Sequence, residues 1–211
     1  MDRFTGTDLL CIRGERVVFL DLAFEVAAGG ALVLVGPNGS GKSSLLRTMA
    51  RLLKPAAGQL AWNGVPVTED PDAHNARLHY VGHLDAVKPV LTVLENLQFW
   101  ASLRGVAGRE TAGRALDAFG IGHLADVPGR FLSAGQRRRV NLARILAAPA
   151  PLWLLDEPTT ALDKEAIRAL EAAIAEHRQA GGMVVMATHA DIAADTPSVL
   201  DLGDFQAAEA A

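Results

Sequence analysis

The sequence predicts an α/β fold with a mostly parallel sheet. Three short runs, 31–35, 152–155 and 183–187, are apolar throughout, which is typical of strands that are covered on both faces. Helix-like patterns separate these runs along the chain, as the crossovers of a parallel sheet require. A glycine-rich turn follows the first run and an Asp-Glu pair follows the second, and α/β sheets place ligands at such strand ends.

Composition excludes several classes of protein. The chain has 211 residues, 50% of them hydrophobic and 21% charged, which is ordinary for one globular domain and excludes disorder. A net charge of −4 argues against a nucleic-acid partner. A single cysteine, Cys11, excludes a disulfide framework and a multi-thiolate metal site. We find no run long enough to span a membrane and no secretory signal, and we expect a cytoplasmic chain.

The N-terminal third is predicted to alternate strands with one helix. Short strand patterns fill 9–35, and a helix is expected over 43–53, stopped by the Lys-Pro that follows. Strand and turn return over 58–67, with Asn63-Gly64 at the tip of a hairpin.

The rest of the chain is predicted to be mainly helical between strands. Helices are expected within 92–146, where Thr92 and Glu95 form a capping box, and over 164–180. A last strand is expected at 198–202, followed by a loose tail from 206.

The glycine-rich turn carries the most specific motif. It matches G-x-x-x-x-G-K-[ST], and it follows a strand and precedes a helix, as a phosphate-binding loop requires. Backbone N–H groups of such a loop surround phosphates, a lysine reaches the β- and γ-phosphates, and a hydroxyl ligates Mg²⁺. The candidate nucleotide-binding residues here are Gly36, Pro37, Asn38, Gly39, Ser40, Gly41, Lys42, Ser43 and Ser44.

The Asp-Glu pair supplies the partner of this loop. Asp156 ends an apolar strand, and we expect it to hold Mg²⁺ together with Ser43. Glu157 is the candidate general base for the attacking water. The alternative is a pair of helix-capping carboxylates.

A third motif reads Leu-Ser-Ala-Gly-Gln over 132–136. Together with the phosphate loop and the Asp-Glu pair, it makes nearly the whole chain resemble the ATP-binding cassette (ABC) ATPases, whose signature is L-S-G-G-Q; Ala134 replaces the first glycine. The resemblance implies that two copies pair head to tail and sandwich two ATPs. It also implies that Ser133 and Gly135, with Gln136 beside them, contact the γ-phosphate of ATP held by the other copy. Without the family, the three arginines at 137–139 indicate a solvated basic face, an interpretation that we keep for Arg138 and Arg139.

The resemblance assigns further residues. Asp163 fits the D-loop and would cross the dimer interface, although it can also cap the next helix. His189 matches the switch histidine that contacts the γ-phosphate.

Two positions depart from the family pattern. His83 stands where the family usually has a glutamine that reaches toward Mg²⁺ and toward the membrane subunit; a neutral imidazole can still orient water. Arg13 aligns with the aromatic residue that stacks on adenine, and a guanidinium can also stack on a base. Phe19 and Arg16 are the alternatives.

The fold that the resemblance implies is a P-loop NTPase (RecA-like) core with an N-terminal antiparallel β subdomain and an inserted helical subdomain. We expect about 1–83 and 147–205 to form the nucleotide-binding core, about 84–146 the helical subdomain with the signature, and 206–211 the tail.

Softer features resemble the ATPase subunits of bacterial cytochrome c maturation systems. They include the compact length, Gly-His-Leu-Asp-Ala at 82–86 and the alanine in the signature. This implies integral membrane partners of the CcmB and CcmC type, a peripheral place at the cytoplasmic face of the inner membrane, and ATP hydrolysis that drives release of a haem-loaded chaperone. We predict no direct haem binding, because the candidate histidines lack a cysteine partner and are expected at the surface: His74, His79, His123 and His177.

Three functions compete. The first is the motor of a membrane ABC complex, for cytochrome c maturation or another transporter. The second is a soluble ABC ATPase of repair or translation, and the third is a small-molecule kinase. The soluble ABC ATPases usually carry coiled-coil inserts, zinc sites or fused cassettes, which we do not find in this sequence. A kinase would leave 132–136 unexplained.

Overall fold

The computed structural model describes residues 1–106, 108–188 and 196–206. The described part of the chain contains two β-sheets. The antiparallel sheet contains β1 (Arg3–Arg13), β2 (Arg16–Ala27), β4 (Ala57–Trp62) and β5 (Val65–Pro66), in the order β2-β1-β4-β5. The parallel sheet contains β3 (Ala31–Val35), β6 (Leu78–Val81), β7 (Leu152–Asp156), β8 (Met183–Ala187) and β9 (Ser198–Asp201), in the order β6-β7-β8-β3-β9. The predicted α/β class with a mostly parallel sheet is confirmed.

Six α-helices occur in the described part of the chain. They are α1 (Lys42–Met49), α2 (Pro71–Ala76), α3 (Val93–Ser102), α4 (Arg109–Ala118), α5 (Ala134–Ala147) and α6 (Lys164–Gln179). No helix within the described ranges is long and apolar enough to cross a membrane.

The strands β7 and β8 of the parallel sheet are buried on both faces and β3 nearly so, which explains their continuous apolar runs. Leu152 and Leu154 of β7 face a core that includes α1 and the antiparallel sheet. Trp153 and Leu155 face the opposite core, to which α3, α4, α5 and α6 contribute. Because successive side chains of a strand point to opposite faces, both cores need apolar residues from the same strand. The β7 strand therefore lies between the two cores, and Asp156 stands at its carboxyl end.

Two local predictions are confirmed. Asn63 and Gly64 have φ of 53° and 83°, the left-handed pair of a tight hairpin turn between β4 and β5. At the start of α3, the Thr92 hydroxyl accepts from the Glu95 N–H at 3.2 Å, and the Glu95 carboxylate accepts from the Thr92 N–H at 2.8 Å. This capping box satisfies two N–H groups that a helix start leaves without partners.

Several boundaries differ from the prediction. Helix α1 ends at Met49 rather than 53, and Arg51 beyond it has a left-handed φ of 55°. The short elements α2 and β6 were not predicted, because six and four residues give too little periodicity to recognise. The predicted tail begins at Gln206, and its residues 207–211 lie outside the described ranges.

The expectation of surface histidines is wrong for three of the four. His74 is 0% exposed and bonds the Met49 carbonyl at 2.9 Å, and His79 is 5% exposed and bonds the Ala148 carbonyl at 2.7 Å. His177 is half-buried, and its ring stacks on Trp153 with centroids 3.8 Å apart. A core can accommodate an imidazole when the ring is neutral and hydrogen-bonded, and His74 and His79 each have such a bond to a main-chain carbonyl. His123 is exposed as expected.

Candidate functional site

The loop between β3 and α1 forms a cradle of backbone. Gly36, Gly39 and Gly41 have φ of 126°, 82° and 107°, in the region that favours glycine. Helix α1 begins directly after Gly41, and no side-chain cap is found at its N-terminus in the described structure. Its first N–H groups, together with the helix dipole, therefore favour an anion at this place.

Close packing fixes the end of the cradle. A Cβ on Gly41 would lie 2.6 Å from Val18 Cγ1 and 3.2 Å from Phe19 Cδ1, so only glycine fits against β2 here. Inside the loop, the Ser40 N–H donates to the Pro37 carbonyl at 3.1 Å, and the fully buried Ser40 hydroxyl has no hydrogen-bond partner among the described residues. The loop is thus held from outside by β2 and from inside by its own backbone.

Lys42 is folded back onto the loop. Its Nζ donates to the Gly36 carbonyl at 2.7 Å and to the Pro37 carbonyl at 3.1 Å. Lys42 is 8% exposed, and a charge in such a place is stabilised by these contacts. Its position at the start of α1 places it within the cradle, where it was predicted to reach the β- and γ-phosphates. Ser44, two residues on in the same helix, is half-buried, and its carbonyl accepts from the Thr48 hydroxyl at 2.9 Å.

Ser43 and Asp156 meet across 113 residues of sequence. The Ser43 hydroxyl donates to Asp156 Oδ1 at 2.9 Å. Asp156 is 1% exposed, and its Oδ2 has no hydrogen-bond partner in the part of the chain that the structure describes. An unpartnered buried carboxylate oxygen is costly in the absence of a ligand. A hydroxyl and a carboxylate are oxygen donors of the kind that Mg²⁺ prefers, so the donor set fits that ion.

Glu157 stands in a sharp turn beyond β7. Its φ is 46°, an uncommon conformation for a residue with a side chain. Its N–H donates to the Ala187 carbonyl of β8 at 2.9 Å, and its carbonyl accepts from the Thr160 N–H at 3.2 Å. Glu157 is half-buried and follows Asp156 directly, so the two residues lie at the same edge of the sheet.

Arg138 contradicts the interpretation of a solvated basic face. It is 3% exposed, and its guanidinium bonds the carbonyls of Asp156 at 2.9 Å, Glu157 at 2.7 Å and Gly82 at 2.8 Å. Arg139 also has partners in the structure, the Phe119 carbonyl at 3.0 Å and the Asp163 carboxylate. Sequence reasoning missed this because a run of arginines is usually a surface feature. The available signal was the spacing of Arg138 from Asn141 and Ile145, which puts it on the buried stripe of α5.

The signature residues form the capped N-terminus of α5. The Ser133 hydroxyl accepts from the Gln136 N–H at 3.2 Å, and the Gln136 side-chain oxygen accepts from the Ser133 N–H at 2.8 Å. A Cβ on Gly135 would lie 2.9 Å from the Ala161 carbonyl, so the N-terminus of α5 lies directly against the segment before α6. Ser133, Gly135, Gln136 and Asp163 line one cavity of about 630 Å³, and none of residues 36–44, all of which are described, lines it. Within one chain, the signature and the phosphate cradle are therefore separate surfaces.

Asp163 caps α6 in this structure. Its Oδ1 accepts from the Ala166 N–H at 3.0 Å, and its Oδ2 pairs with Arg139. The hydrogen bond from Ala166 and the charge of Arg139 lower the pKa of Asp163. The capping role is thus present, and the ion pair links the segment before α6 to the signature helix.

The candidate adenine contact lies at a hairpin tip. Arg13 and Arg16 pair across the exposed turn between β1 and β2, in which Gly14 has a φ of 62°. Phe19, one of the alternatives, is 0% exposed and packs in the core. Its ring cannot stack on a base, which leaves Arg13 and Arg16 as the candidates. Because Val18 touches the Gly41 position, this hairpin lies beside the phosphate cradle.

His83 is exposed in the segment that follows β6. It lines a groove of about 750 Å³ together with Leu84, Trp100, Arg104 and Arg144. Arg144 lies over the Trp100 ring at 4.2 Å, and burial, with the nearby charge of Arg104, lowers its pKa to about 10. His189, predicted to contact the γ-phosphate, lies outside the described residues.

Comparison with known proteins identifies the family. The sequence profile of the ABC transporter family matches residues 19–160 of this chain. The chain belongs to the ABC transporter family. It is 63% identical over 210 residues to the cytochrome c biogenesis ATP-binding export protein CcmA of Paramagnetospirillum magneticum, covering 98% of this chain and 96% of that protein. It is also 63% identical to the protein of the same name from Rhodospirillum rubrum, covering 96% of this chain and 86% of that protein.

Solved ABC structures share the fold. A putative ABC transporter ATP-binding protein from Pyrococcus furiosus superposes with a TM-score of 0.84 at 25% identity, covering 97% of this chain and 100% of that chain. A dimeric ATP-binding cassette in a post-hydrolysis state, bound to ADP and phosphate, superposes with a TM-score of 0.77 at 25% identity, covering 89% of this chain and 88% of that chain. The resemblance to ABC ATPases is therefore confirmed, and this member of the family is a nucleotide-binding ATPase similar to CcmA.

Proposed function

We propose that this chain is the ATP-hydrolysing subunit of a cytochrome c maturation complex, in which hydrolysis drives release of a haem-loaded chaperone. The observation that carries the proposal is the 63% identity, over 98% of the chain, to a protein named for cytochrome c biogenesis. The alternative is the ATPase subunit of another ABC transporter, which would use the same residues on a different cargo.

The phosphate cradle and Lys42 would bind the triphosphate. Lys42 has two backbone carbonyls as partners, and the γ-phosphate would replace them with a full negative charge. Ser43 and Asp156 would hold Mg²⁺, which supplies positive charge that neutralises the phosphate oxygens. This assignment is supported by their 2.9 Å hydrogen bond and by the unpartnered Oδ2 of Asp156. Arg13 would stack on adenine from the neighbouring hairpin.

Glu157 would act as the general base. Its carboxylate takes a proton from water, the water oxygen bonds to the γ-phosphorus, and the β–γ bridging oxygen leaves with ADP. His83 and His189 would support this step, His83 by orienting water and His189 by contacting the γ-phosphate.

Two copies would complete the site. The separation of the signature from the cradle within one chain supports head-to-tail pairing, because Ser133, Gly135 and Gln136 can then face nucleotide bound by the other copy. Asp163 would lie at the same interface. A solved relative of similar fold is itself dimeric.

Membrane subunits of the CcmB and CcmC type would occupy the groove beside His83. Leu84 and Leu103 on its walls are 83% and 64% exposed, and exposed apolar side chains gathered along one groove favour a surface that is covered in the complex. We place the chain at the cytoplasmic face of the inner membrane as a peripheral subunit.

Complementation tests the proposal. In the native host with its own copy deleted, the wild-type chain and the Lys54→Ala control, which changes an exposed lysine, should restore covalent haem in c-type cytochromes. Lys42→Ala should not restore it, although the protein accumulates. Normal cytochrome maturation in the deletion strain would contradict the assignment and favour another transporter.

A further inference from the structure

Arg138 lies where two strands of the parallel sheet part. The pairing of β6 with β7 ends at Val81 and Leu155. At the next residues, Arg138 Nη1 donates to the Gly82 carbonyl at 2.8 Å and Nη2 to the Asp156 carbonyl at 2.9 Å. The guanidinium thus joins the two strands just beyond the point where their main-chain pairing ends.

Every N–H of this guanidinium is directed at the site segments. Nη2 also donates to the Glu157 carbonyl at 2.7 Å, and weaker contacts run from Nε to the Pro158 carbonyl at 3.4 Å and from Nη1 to Asp85 Oδ1 at 3.5 Å. Five contacts match the five N–H groups that an arginine carries. Four of them end on main-chain carbonyls and one on the Asp85 carboxylate, so most of the contacts of Arg138 fix backbone.

The fixed backbone includes a strained residue. Glu157 has a φ of 46°, and conformations of this kind persist when neighbouring contacts determine them. Arg138 holds the carbonyls on both sides of that φ, those of Asp156 and Glu157. Loss of these bonds would let the turn relax and move the carboxylate that it carries.

We propose that Arg138 is a positioning residue for ATP hydrolysis, which fixes the turn that presents Glu157 and ties it to the signature helix α5. The proposal rests on the general-base role proposed above for Glu157. Arg138 touches neither nucleotide nor water in this assignment; it acts through the backbone of Glu157.

The position of Arg138 on α5 has a consequence for the dimer. Ser133 caps the N-terminus of the same helix, five residues earlier. When the signature of one copy binds ATP held by the other, a movement of α5 would also move Arg138. Through its hydrogen bonds, Arg138 would then move the turn that holds Glu157, the general base in the site of its own chain. Arg138 thereby links the two composite sites of the dimer.

Activity and stability are measured together at this position. Removing one partner of a buried charged contact usually destabilises a protein, so the free energy of unfolding of each variant is determined beside its rate. Arg138→Met removes all five donors, whereas Arg138→Lys keeps a charge but cannot span both strands with a planar fork. Arg178→Met is the matched control, since Arg178 of α6 also bonds a main-chain carbonyl, that of Gly29 at 3.0 Å, which lies just before β3 and not at the carboxyl ends of the strands.

The experiment measures ATP hydrolysis by the full chain in its membrane complex. We expect Arg138→Met to lower kcat about 10- to 100-fold, since a small misplacement of a reacting group has effects of this size, with KM for ATP within about twofold. Arg138→Lys should recover part of kcat, and Arg178→Met should keep the wild-type kcat. Wild-type kcat in Arg138→Met, or a rise in KM alone, would overturn the proposal.

A double variant distinguishes this proposal from the one on which it rests. If Arg138 acts through Glu157, then adding Arg138→Met to Glu157→Gln should lower the residual rate no further. An additional loss as large as that in the wild-type background would assign Arg138 an independent role and overturn the proposal. Wild-type turnover by Glu157→Gln alone would instead remove the general base itself. If Arg138→Met does not accumulate as folded protein, Arg138→Lys alone and combined with Glu157→Gln gives the same comparison, and wild-type kcat in Arg138→Lys would then overturn the proposal.

Discussion

The Ser43 hydroxyl and the Asp156 carboxylate are joined by a 2.9 Å hydrogen bond that connects the first turn of α1 to the end of β7. The two motifs lie 113 residues apart in sequence, yet this contact makes them one site. The bond also leaves the other Asp156 oxygen buried without a partner among the described residues, which is the arrangement expected of a cation site.

Ser43→Ala should weaken Mg²⁺ binding. The change removes one oxygen ligand and the donor that orients Asp156, and loss of an orienting partner alone costs at least about tenfold in metal affinity. Titration of ATPase activity with Mg²⁺ should show a midpoint shifted upward by that factor or more. Ser102→Ala, which removes an exposed hydroxyl from α3, is the control. An unshifted midpoint would exclude Ser43 as a ligand.

Gly135→Ala should impair ATP-dependent pairing of two copies. The added Cβ would lie 2.9 Å from the Ala161 carbonyl and push the N-terminus of α5 away from the segment before α6. We expect nucleotide binding to one chain to persist while the ATP-bound dimer is lost, as measured by size-exclusion chromatography in a non-hydrolysing background. Gly113→Ala meets no atom within 4 Å and serves as the control. Dimer formation by Gly135→Ala at wild-type ATP concentrations would contradict the close approach.

Acid should destabilise the fold through buried histidines. Burial, with the nearby charges of Arg104, Arg144 and His177, lowers the pKa of His79 to about 3 from its ordinary 6.5, against the opposing hydrogen bond to Ala148. Between these two pH values the unfolded chain binds a proton that the folded chain does not, so the free energy of unfolding falls as the pH falls. The loss from His79 is at most about 1.4 kcal/mol per pH unit.

The same sign applies to His74 and His177, whose pKa values burial also lowers. His79→Gln keeps a hydrogen-bond donor without titrating, and it should reduce the slope of stability against pH in urea unfolding measured from pH 7 to pH 5. His123→Gln, at an exposed position, should leave that slope as it is. Equal slopes for wild type and His79→Gln would show that His79 binds a proton as readily in the folded chain as in the unfolded chain, and would contradict the lowered pKa.

His83→Gln should retain ATPase activity. His83 is exposed in the segment that Arg138 holds at Gly82, and a glutamine amide can donate to and accept from water as an imidazole does. We expect kcat within a few-fold of the wild type, whereas His83→Ala should lose on the order of 100-fold if the side chain orients the attacking water. An inactive His83→Gln variant would assign the imidazole a task of its own.

Sequence reasoning succeeded where one short pattern determines the structure. The apolar runs of β3, β7 and β8 are long enough and uniform enough to require cover on both faces. The glycine pattern of the cradle is equally specific, because Gly41 approaches β2 too closely for any side chain.

It failed where the structure depends on distant contacts. Arg138 looks like part of a surface run until the carbonyls of Gly82 and Asp156, from two other segments, are placed beside it. Phe19, an alternative candidate for stacking on adenine, could be eliminated only once the structure showed that it is buried and packed beside Gly41. Strand β6 contains His79 among its four residues, and only the Ala148 carbonyl explains why a histidine is buried there.

The most direct test of the account is hydrolysis by Glu157→Gln. If Glu157 is the base that activates water, the variant should bind ATP with Mg²⁺ and accumulate as a closed pair of chains, while its turnover falls on the order of 100-fold or more. Single-turnover measurement of phosphate release, with dimer formation followed in the same sample, gives both results together. A Glu157→Gln variant that hydrolyses ATP at the wild-type rate would contradict the account at its centre.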